Sequence, residues 1–183
     1  MRLITRCEAL EGVLETWREA IGSDFQAYKN HCYRVLNGAY AVLEAGGLAS
    51  DEHLETIGFA LGFHDLGIWS DVNFDYLEPS ARRAELAMAD MAWPDLRKQQ
   101  VLAIIARHHQ FIRIHDDSLS EAVRQADWCD VSLGLMRGTI EKARWRQIVK
   151  RFPNAGFHQL LIRKGGVHAL KHPLNPLPMM RWR

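Results

Sequence analysis

The stretch GFALGFHDLG, residues 58–67, places a histidine and an aspartate side by side at the end of an apolar run. Imidazole nitrogen and carboxylate oxygen together suit a divalent transition metal, and adjacent ligands reach one ion where a helix frays. An isolated pair has a second interpretation, an ordinary helix C-terminus with His64 on the last carbonyls and Gly67 ending the turn. The choice depends on whether other residues join His64 and Asp65.

Apolar residues recur at helical spacing on both sides of this stretch, and strict alternation over six or more residues is missing. The pattern therefore predicts an all-α protein. The predicted helices run from about Arg6 to Ile21, from Ser23 or Asp24 to Gly46-Gly47, from Ser50 to the His-Asp pair, from Pro79 to about Met91, from Pro94 to His108-His109, from a capping box at Ser118 and Glu121, from about Thr139 to Arg151 and from Phe157 to Leu170.

A chain of 183 residues with 48% hydrophobic and 25% charged residues is long enough to bury one core. We expect a single-domain helical bundle of about six to eight helices over residues 1–172, then a Pro-containing extended tail over residues 173–183. No run reaches the roughly 18 apolar residues of a membrane span. The N-terminus lacks the features of a signal or transit peptide, and three scattered cysteines favour a reducing compartment. We expect a cytoplasmic protein with no membrane partner.

The charges are balanced overall, with 23 basic and 22 acidic residues, but they are unevenly distributed. Residues 138–183 contain ten lysines and arginines and one acidic residue, Glu141. This segment either attracts a phosphate-bearing partner or packs on the acidic remainder of the fold or on a second subunit, as in a homodimer. No nucleic-acid-binding motif is present, so we do not expect a nucleic-acid partner.

Other predicted helices also carry metal-ligand candidates. His31 and Asp127 each have apolar residues three or four positions away on the same helical face, so both point inward. His108 and His109 end the apolar stripe of another helix, where at least one must face inward. A lone inward histidine is more often hydrogen-bonded in a core than bound to metal, and a lone aspartate is usually solvated. Their coincidence favours a metal site, because two buried carboxylates without a cation would cost roughly several kcal/mol.

The order of these residues resembles the HD-domain superfamily of metal-dependent phosphohydrolases. The resemblance covers roughly residues 25–135 and includes Phe63-His64-Asp65-Leu66-Gly67 and the pair His108-His109 before Asp127. It implies an all-α bundle and one divalent ion, with identity open among Mn, Fe, Co, Ni and Zn. The ligands that it implies are His31, His64, Asp65 and Asp127.

The chain departs from the family in the segment between its two histidine motifs. Many members have a lysine or glutamate three residues after the aspartate, where this chain has Ile68. Two-metal members have another histidine between the His-Asp pair and the later histidines, and its absence here argues against a second metal. His108 and His109 are the candidates for a second metal or for substrate. In the irregular stretch from Leu66 to Glu78, the aromatic residues either line a pocket or pack in the core: Trp69, Phe74 and Tyr76.

The resemblance implies hydrolysis of a small phosphate ester, such as a nucleotide, by attack of a metal-bound water, with Asp65 as the base that orients it. Lys29, Arg82 and Arg83 are the candidates for phosphate binding. One alternative is an HD-type di-iron oxygenase or a metal-dependent lyase or hydratase. A second alternative is a non-catalytic metal-binding module.

Overall fold

The computed structural model describes residues 3–70, 75–171, 174 and 178–180, and this part of the chain is all-helical. Its elements confirm the predicted all-α fold, with eight helices of nine residues or more, two single-turn helices and a 3₁₀ turn at Gly22–Asp24. The helices are α1 Glu8–Thr16, α2 Arg18–Ile21, α3 Phe25–Ala45, α4 Asp51–Phe63, α5 Gly67–Ser70, α6 Leu77–Ala87, α7 Asp95–Arg107, α8 Ser118–Val131, α9 Lys142–Arg151 and α10 Phe157–Lys171.

Helix α3 is the central element, and most of its circumference is buried. Its buried residues include polar side chains as well as apolar ones, namely Asn30, His31, Arg34 and Asn37. At Gly38 an added Cβ would lie 2.9 Å from the Cβ of Ala126, so the glycine lets α3 and α8 approach closely. Two turns away, His31 of α3 faces Asp127 and Asp130 of α8. The antiparallel pair thus supplies one wall of the candidate site.

Helix α4 delivers the His-Asp pair to the interior. The Ser50 side chain caps its first turn by accepting a hydrogen bond from the His53 N–H at 3.1 Å. Gly58 and Gly62 face α1, where an added Cβ at Gly62 would lie 2.6 Å from Val13 Cβ. Because α4 is pressed against α1 in this way, its C-terminus ends inside the protein.

The prediction of one continuous helix from about Arg6 to Ile21 is wrong, because this segment forms two helices. The chain leaves helical geometry at Trp17, with φ −105° and ψ 9°, so that α1 and α2 are separate. Trp17 packs against the core, and the guanidinium of Arg83 lies 5.4 Å from the centre of its ring. These tertiary contacts favour a turn at Trp17, which the helical spacing of apolar residues in the sequence does not reveal.

The predicted capping box of α8 is also wrong. Asp117, not Ser118, is the N-cap, and its carboxylate accepts hydrogen bonds from the Leu119 and Ser120 N–H groups at 3.0 and 3.2 Å. Glu121 accepts instead from the Ile114 N–H at 2.9 Å, so it secures the preceding loop.

Smaller differences concern the ends of other helices. Helix α6 begins at Leu77 rather than Pro79, and α9 begins at Lys142 rather than Thr139. Phe74 lies outside the described residues, as does most of the predicted tail. Of that tail, Met179 packs in a small cluster on Ile68, Tyr76 and Leu77. Among the described residues, no helix is long and apolar enough to cross a membrane.

Candidate metal centre

Six histidine and aspartate side chains from four helices or helix ends converge in the core. They come from α3, from the residues directly after α4 and α7, and from α8, and each is at most 9% exposed. A metal ion can be held only where the ligand atoms lie within a few ångströms of one another. Three groups of three residues meet this condition, with all ligand atoms of a group within 4.8 Å of one another. The groups are His31 with His64 and Asp127, His64 with Asp65 and His108, and His108 with His109 and Asp127.

Two imidazoles face each other with their Nε2 atoms 3.0 Å apart, those of His31 and His64. The Nδ1 of His64 donates to the Leu61 carbonyl at 2.7 Å, and the Nδ1 of His31 donates to the Asp130 carboxylate at 2.6 Å. Neutral rings would therefore direct two lone pairs at each other. A shared cation or a proton between the rings relieves that repulsion.

The pKa values show which ring holds such a proton when no cation is present. Burial lowers the pKa of His31, but hydrogen bonds to Asp130 and Asp65 outweigh it and raise the pKa to about 9. Burial dominates at His64 and lowers its pKa to about 4. His31 thus carries the proton at neutral pH, and a metal ion bound by both Nε2 atoms would replace it.

The two carboxylates each divide their oxygens between two sets of histidines. Oδ2 of Asp65 lies 3.5 Å from His31 Nε2 and 3.4 Å from His64 Nε2, while its Oδ1 lies 3.5 Å from His108 Nε2. Oδ1 of Asp127 lies 3.6 Å from His31 Nε2, and its Oδ2 lies 3.1 Å from His109 Nδ1. Such a bridging arrangement suits one cation on the His31 side and offers a second group of donors at His108 and His109.

Two of these carboxylate oxygens are fully buried with no hydrogen-bond partner among the described residues, Asp65 Oδ1 and Asp127 Oδ1. Oδ2 of Asp127 makes no well-aligned hydrogen bond either, and its contact with His109 is an ion-pair contact at 3.1 Å. Nε2 of His108 is also unpartnered, while its Nδ1 donates to the Ile105 carbonyl at 2.8 Å. Buried polar atoms without partners are costly, and a metal ion accepts lone pairs from all of them. The donor set therefore fits a divalent transition metal.

Asp130 and Arg34 were missed by sequence reasoning. The Arg34 guanidinium binds both oxygens of Asp130, with Nε at 2.6 Å from Oδ1 and Nη2 at 2.8 Å from Oδ2. Burial raises the pKa of Asp130, but hydrogen bonds from His31 and Arg34 outweigh it and lower the pKa to about 2. The available signal was the spacing Asp127-x-x-Asp130, which places both carboxylates on one helical face.

Aromatic residues also surround the histidines, and the Tyr28 ring stacks on that of His64 at 5.8 Å between centroids. The Phe157 ring stacks on the His31 ring at 4.0 Å between centroids, with 13° between their planes. The Tyr76 hydroxyl lies 2.7 Å from Nε2 of His109, and burial raises its pKa well above the ordinary value. His109 is the most exposed of the six candidates at 9%. The Tyr76–His109 contact thus marks the side of the centre nearest to solvent.

The three cations predicted to bind phosphate have described contacts elsewhere. Lys29 donates to a carboxylate oxygen of Glu11 at 2.6 Å. Arg82 and Arg83 line a cavity of about 1,100 Å³ between α1, α4 and α6, and none of the six histidine and aspartate candidates lines it. Their role in phosphate binding stays a prediction.

The chain matches no family model, no curated protein and no solved structure.

Proposed function

We propose that this protein is a metal-dependent phosphohydrolase that acts on a small phosphate ester. One observation carries the metal-binding part of the proposal: the Nε2 atoms of His31 and His64 face each other at 3.0 Å beside two buried carboxylates with unpartnered oxygens. The hydrolytic part rests on the resemblance of this ordered residue set to HD-domain proteins.

The residues have separate tasks in this proposal. His31, His64, Asp65 and Asp127 would hold the ion, which when bound lowers the pKa of water and polarises a phosphoryl oxygen. Burial raises the pKa of Asp65, but the surrounding histidines outweigh it and hold the pKa well below its usual range. Asp65 is therefore ionised, and its unpartnered Oδ1 can accept a hydrogen bond from the attacking water.

A second candidate is an HD-type oxygenase or lyase with two metal ions. The specific observation in its favour concerns the carboxylate oxygens that do not face His31. Oδ1 of Asp65 lies 3.5 Å from His108 Nε2, and Oδ2 of Asp127 lies 3.1 Å from His109 Nδ1. This geometry offers a second set of N and O donors next to the first. Metal stoichiometry and oxygen consumption distinguish this candidate from hydrolysis.

The test combines metal analysis with turnover. The purified protein is expected to contain a divalent transition metal, and to release phosphate from members of a nucleotide and sugar-phosphate panel supplied with Mn, Co or Ni. His64→Ala should lose both the metal and the activity, because it removes one imidazole ligand. His115→Ala is the matched control, since His115 is exposed and outside the centre.

Three results would contradict the proposal or part of it. Full turnover in His64→Ala would exclude the metal centre as the active site. Metal retention with no phosphate release across the panel would favour the non-catalytic module. Two irons per chain with oxygen consumption would favour the oxygenase.

A further inference from the structure

The cavity between α1, α4 and α6 is separate from the candidate metal centre and large enough to hold a small molecule. Its volume of about 1,100 Å³ lies at the upper end of ligand pockets, which measure about 300–1,000 Å³. Apolar side chains make up most of its lining, as is usual in such pockets. Four of them are aromatic: Trp17, Phe59, Phe63 and Trp93.

One end of the cavity is aromatic. The Phe59 ring meets the Trp93 ring edge to face at 5.0 Å between centroids, and the rings of Phe59 and Phe63 lie 5.2 Å apart. Both phenylalanines are nearly buried, at 4% and 2% exposed, so they form the floor. A ring or a branched alkyl group of a ligand is covered by aromatic side chains at this end.

The other end of the cavity is charged. An added Cβ at Gly67 would lie 2.7 Å from the Tyr76 carbonyl oxygen, so α6 begins beside the residues that follow α4. The first two turns of α6 then bring Glu78 and Arg82 to the cavity wall. These side chains are four residues apart and are neighbours on one helical face. Within the described part of the chain, neither makes a hydrogen bond or an ion pair, with the other or with any other residue.

The remaining charged residues of the lining have contacts of their own. The Arg6 guanidinium donates two hydrogen bonds to the Glu8 carboxylate. Arg83 donates to the Pro79 carbonyl at 3.2 Å, and Asp75 also has an interaction of its own. The cavity therefore offers a ligand one available anion and one available cation, one helical turn apart.

We propose that this cavity binds a small zwitterion with an apolar body, of the chemical class of the aromatic amino acids. Arg82 would bind the carboxylate of the ligand, and Glu78 its ammonium group. The apolar body would lie on Phe59 and against Trp93. Arg82, which the sequence nominated for phosphate, thus binds a carboxylate in this inference, which does not depend on the proposed function.

The charges favour a zwitterion over other small molecules. An anionic ligand such as a fatty acid would pair with Arg82 but would place its charge beside Glu78. A cationic ligand would meet the opposite conflict. A neutral apolar ligand would cover both side chains without pairing either, and covering an unpaired charge is costly. Only a ligand with both charges pairs both residues.

Calorimetric titration with L-phenylalanine tests the proposal, and two analogues separate the charges. Phenethylamine lacks the carboxylate, and 3-phenylpropionate lacks the ammonium group, so each should bind about tenfold more weakly. Arg82→Gln should weaken L-phenylalanine binding about tenfold and leave phenethylamine binding unchanged. Glu78→Gln should also weaken L-phenylalanine binding about tenfold, but it should leave 3-phenylpropionate binding unchanged. Glu85→Gln is the matched control, because Glu85 is exposed on α6 and does not line the cavity.

A second variant tests the location. Gly12 lines the cavity, and nothing lies within 4 Å of a Cβ added there, so the side chain of Gly12→Leu should fill part of the space. This variant should lose L-phenylalanine binding. Gly166→Leu is its control, because Gly166 also has open space around an added Cβ but does not line the cavity. Circular dichroism should show that every variant is folded.

Four results would overturn the proposal. They are no binding of L-phenylalanine, equal affinity for it and its two analogues, full binding in folded Gly12→Leu, and equal loss in a control variant. A dimer in light scattering that Gly12→Leu dissociates would overturn it in favour of a second copy of the chain. Because these titrations measure binding alone, they decide the inference whether or not the protein hydrolyses a phosphate ester.

Discussion

At the scale of single residues, the centre depends on which ring nitrogen carries hydrogen. Nδ1 of His31, His64 and His108 each donates to an oxygen: the carboxylate of Asp130 and the carbonyls of Leu61 and Ile105. The Nε2 atoms are therefore left to face the carboxylates of Asp65 and Asp127. A metal ligand whose other nitrogen is held in this way is fixed in both tautomer and orientation.

Asp130→Asn should weaken metal binding about 10- to 100-fold, because an amide is a poorer acceptor for the His31 Nδ1–H and loses the charge that Arg34 binds. Titration of the chelator-treated protein with Mn or Zn measures this change. Asp117→Ala is the control, because losing the N-cap of α8 should cost about 1 kcal/mol of stability without changing metal affinity. Equal loss of affinity in both variants would assign Asp130 a merely structural role.

The three cysteines should be unreactive in the folded protein. Burial raises the pKa of the Cys7 thiol to about 11 and that of Cys129 to about 12, and it raises the pKa of Cys32 well above its ordinary value. At pH 8 only about one Cys7 thiol in a thousand is then ionised. Iodoacetamide followed by mass spectrometry should detect no modification natively and three sites in denaturant. Rapid native modification would contradict this burial.

At the scale of elements, glycines determine how closely the helices approach. Gly38 allows the contact between α3 and α8, and Gly58 and Gly62 allow the contact between α4 and α1. A Cβ at Gly62 would meet the Cβ and Cγ1 of Val13, both at 2.6 Å. Because this clash involves atoms close to the α1 backbone, a side chain at Gly62 would push the helices apart. The His-Asp pair follows directly, so its position depends on this contact.

Gly62→Ala should lower the free energy of unfolding by about 1–3 kcal/mol, since overpacking forces backbone shifts. Gly12→Ala, in α1, is the matched control. Nothing lies within 4 Å of its added Cβ, so the better helix propensity of alanine should raise stability by about 0.5–1 kcal/mol. Urea denaturation measures both. If Gly62→Ala raised the free energy of unfolding, as Gly12→Ala is expected to do, the close approach of α1 and α4 would be refuted.

At the scale of the whole molecule, the candidate metal centre joins α3, α8 and the residues directly after α4 and α7. A ligand that binds only the folded state stabilises it, by about 2.7 kcal/mol at a hundredfold excess over its dissociation constant. For a chain of 183 residues this corresponds to a shift of roughly 5–10 °C in the unfolding midpoint.

Chelation should therefore lower the unfolding midpoint by that amount, and added Mn or Zn should restore it. Differential scanning calorimetry with and without metal measures the shift. In the variant His31→Ala with Asp127→Ala the metal should produce almost no shift, whereas His115→Ala should respond as the parent does. A shift of full size in the double variant would place the binding site elsewhere.

The sequence by itself determined the helical class and which residues are the metal-ligand candidates. Helical spacing of apolar residues is a local property, and it predicted long helices such as α3 and α4 with ends within a few residues. The HD-like order of His31, His64, Asp65 and Asp127 also stands in the chain itself, although membership of that superfamily and the hydrolytic activity stay predictions.

Only the tertiary structure decided what these residues contact. The break at Trp17 and the clamp of Arg34 on Asp130 depend on side chains brought together from distant positions, and no local pattern encodes such contacts. The cap at Asp117 is a local contact, and there the sequence pattern offered two neighbouring candidates, Asp117 and Ser118. Likewise, the division of the Asp65 and Asp127 oxygens between two histidine pairs follows from how four helix segments pack. Local periodicity selects the elements, whereas close packing across glycines sets the distances of 3–4 Å on which metal chemistry depends.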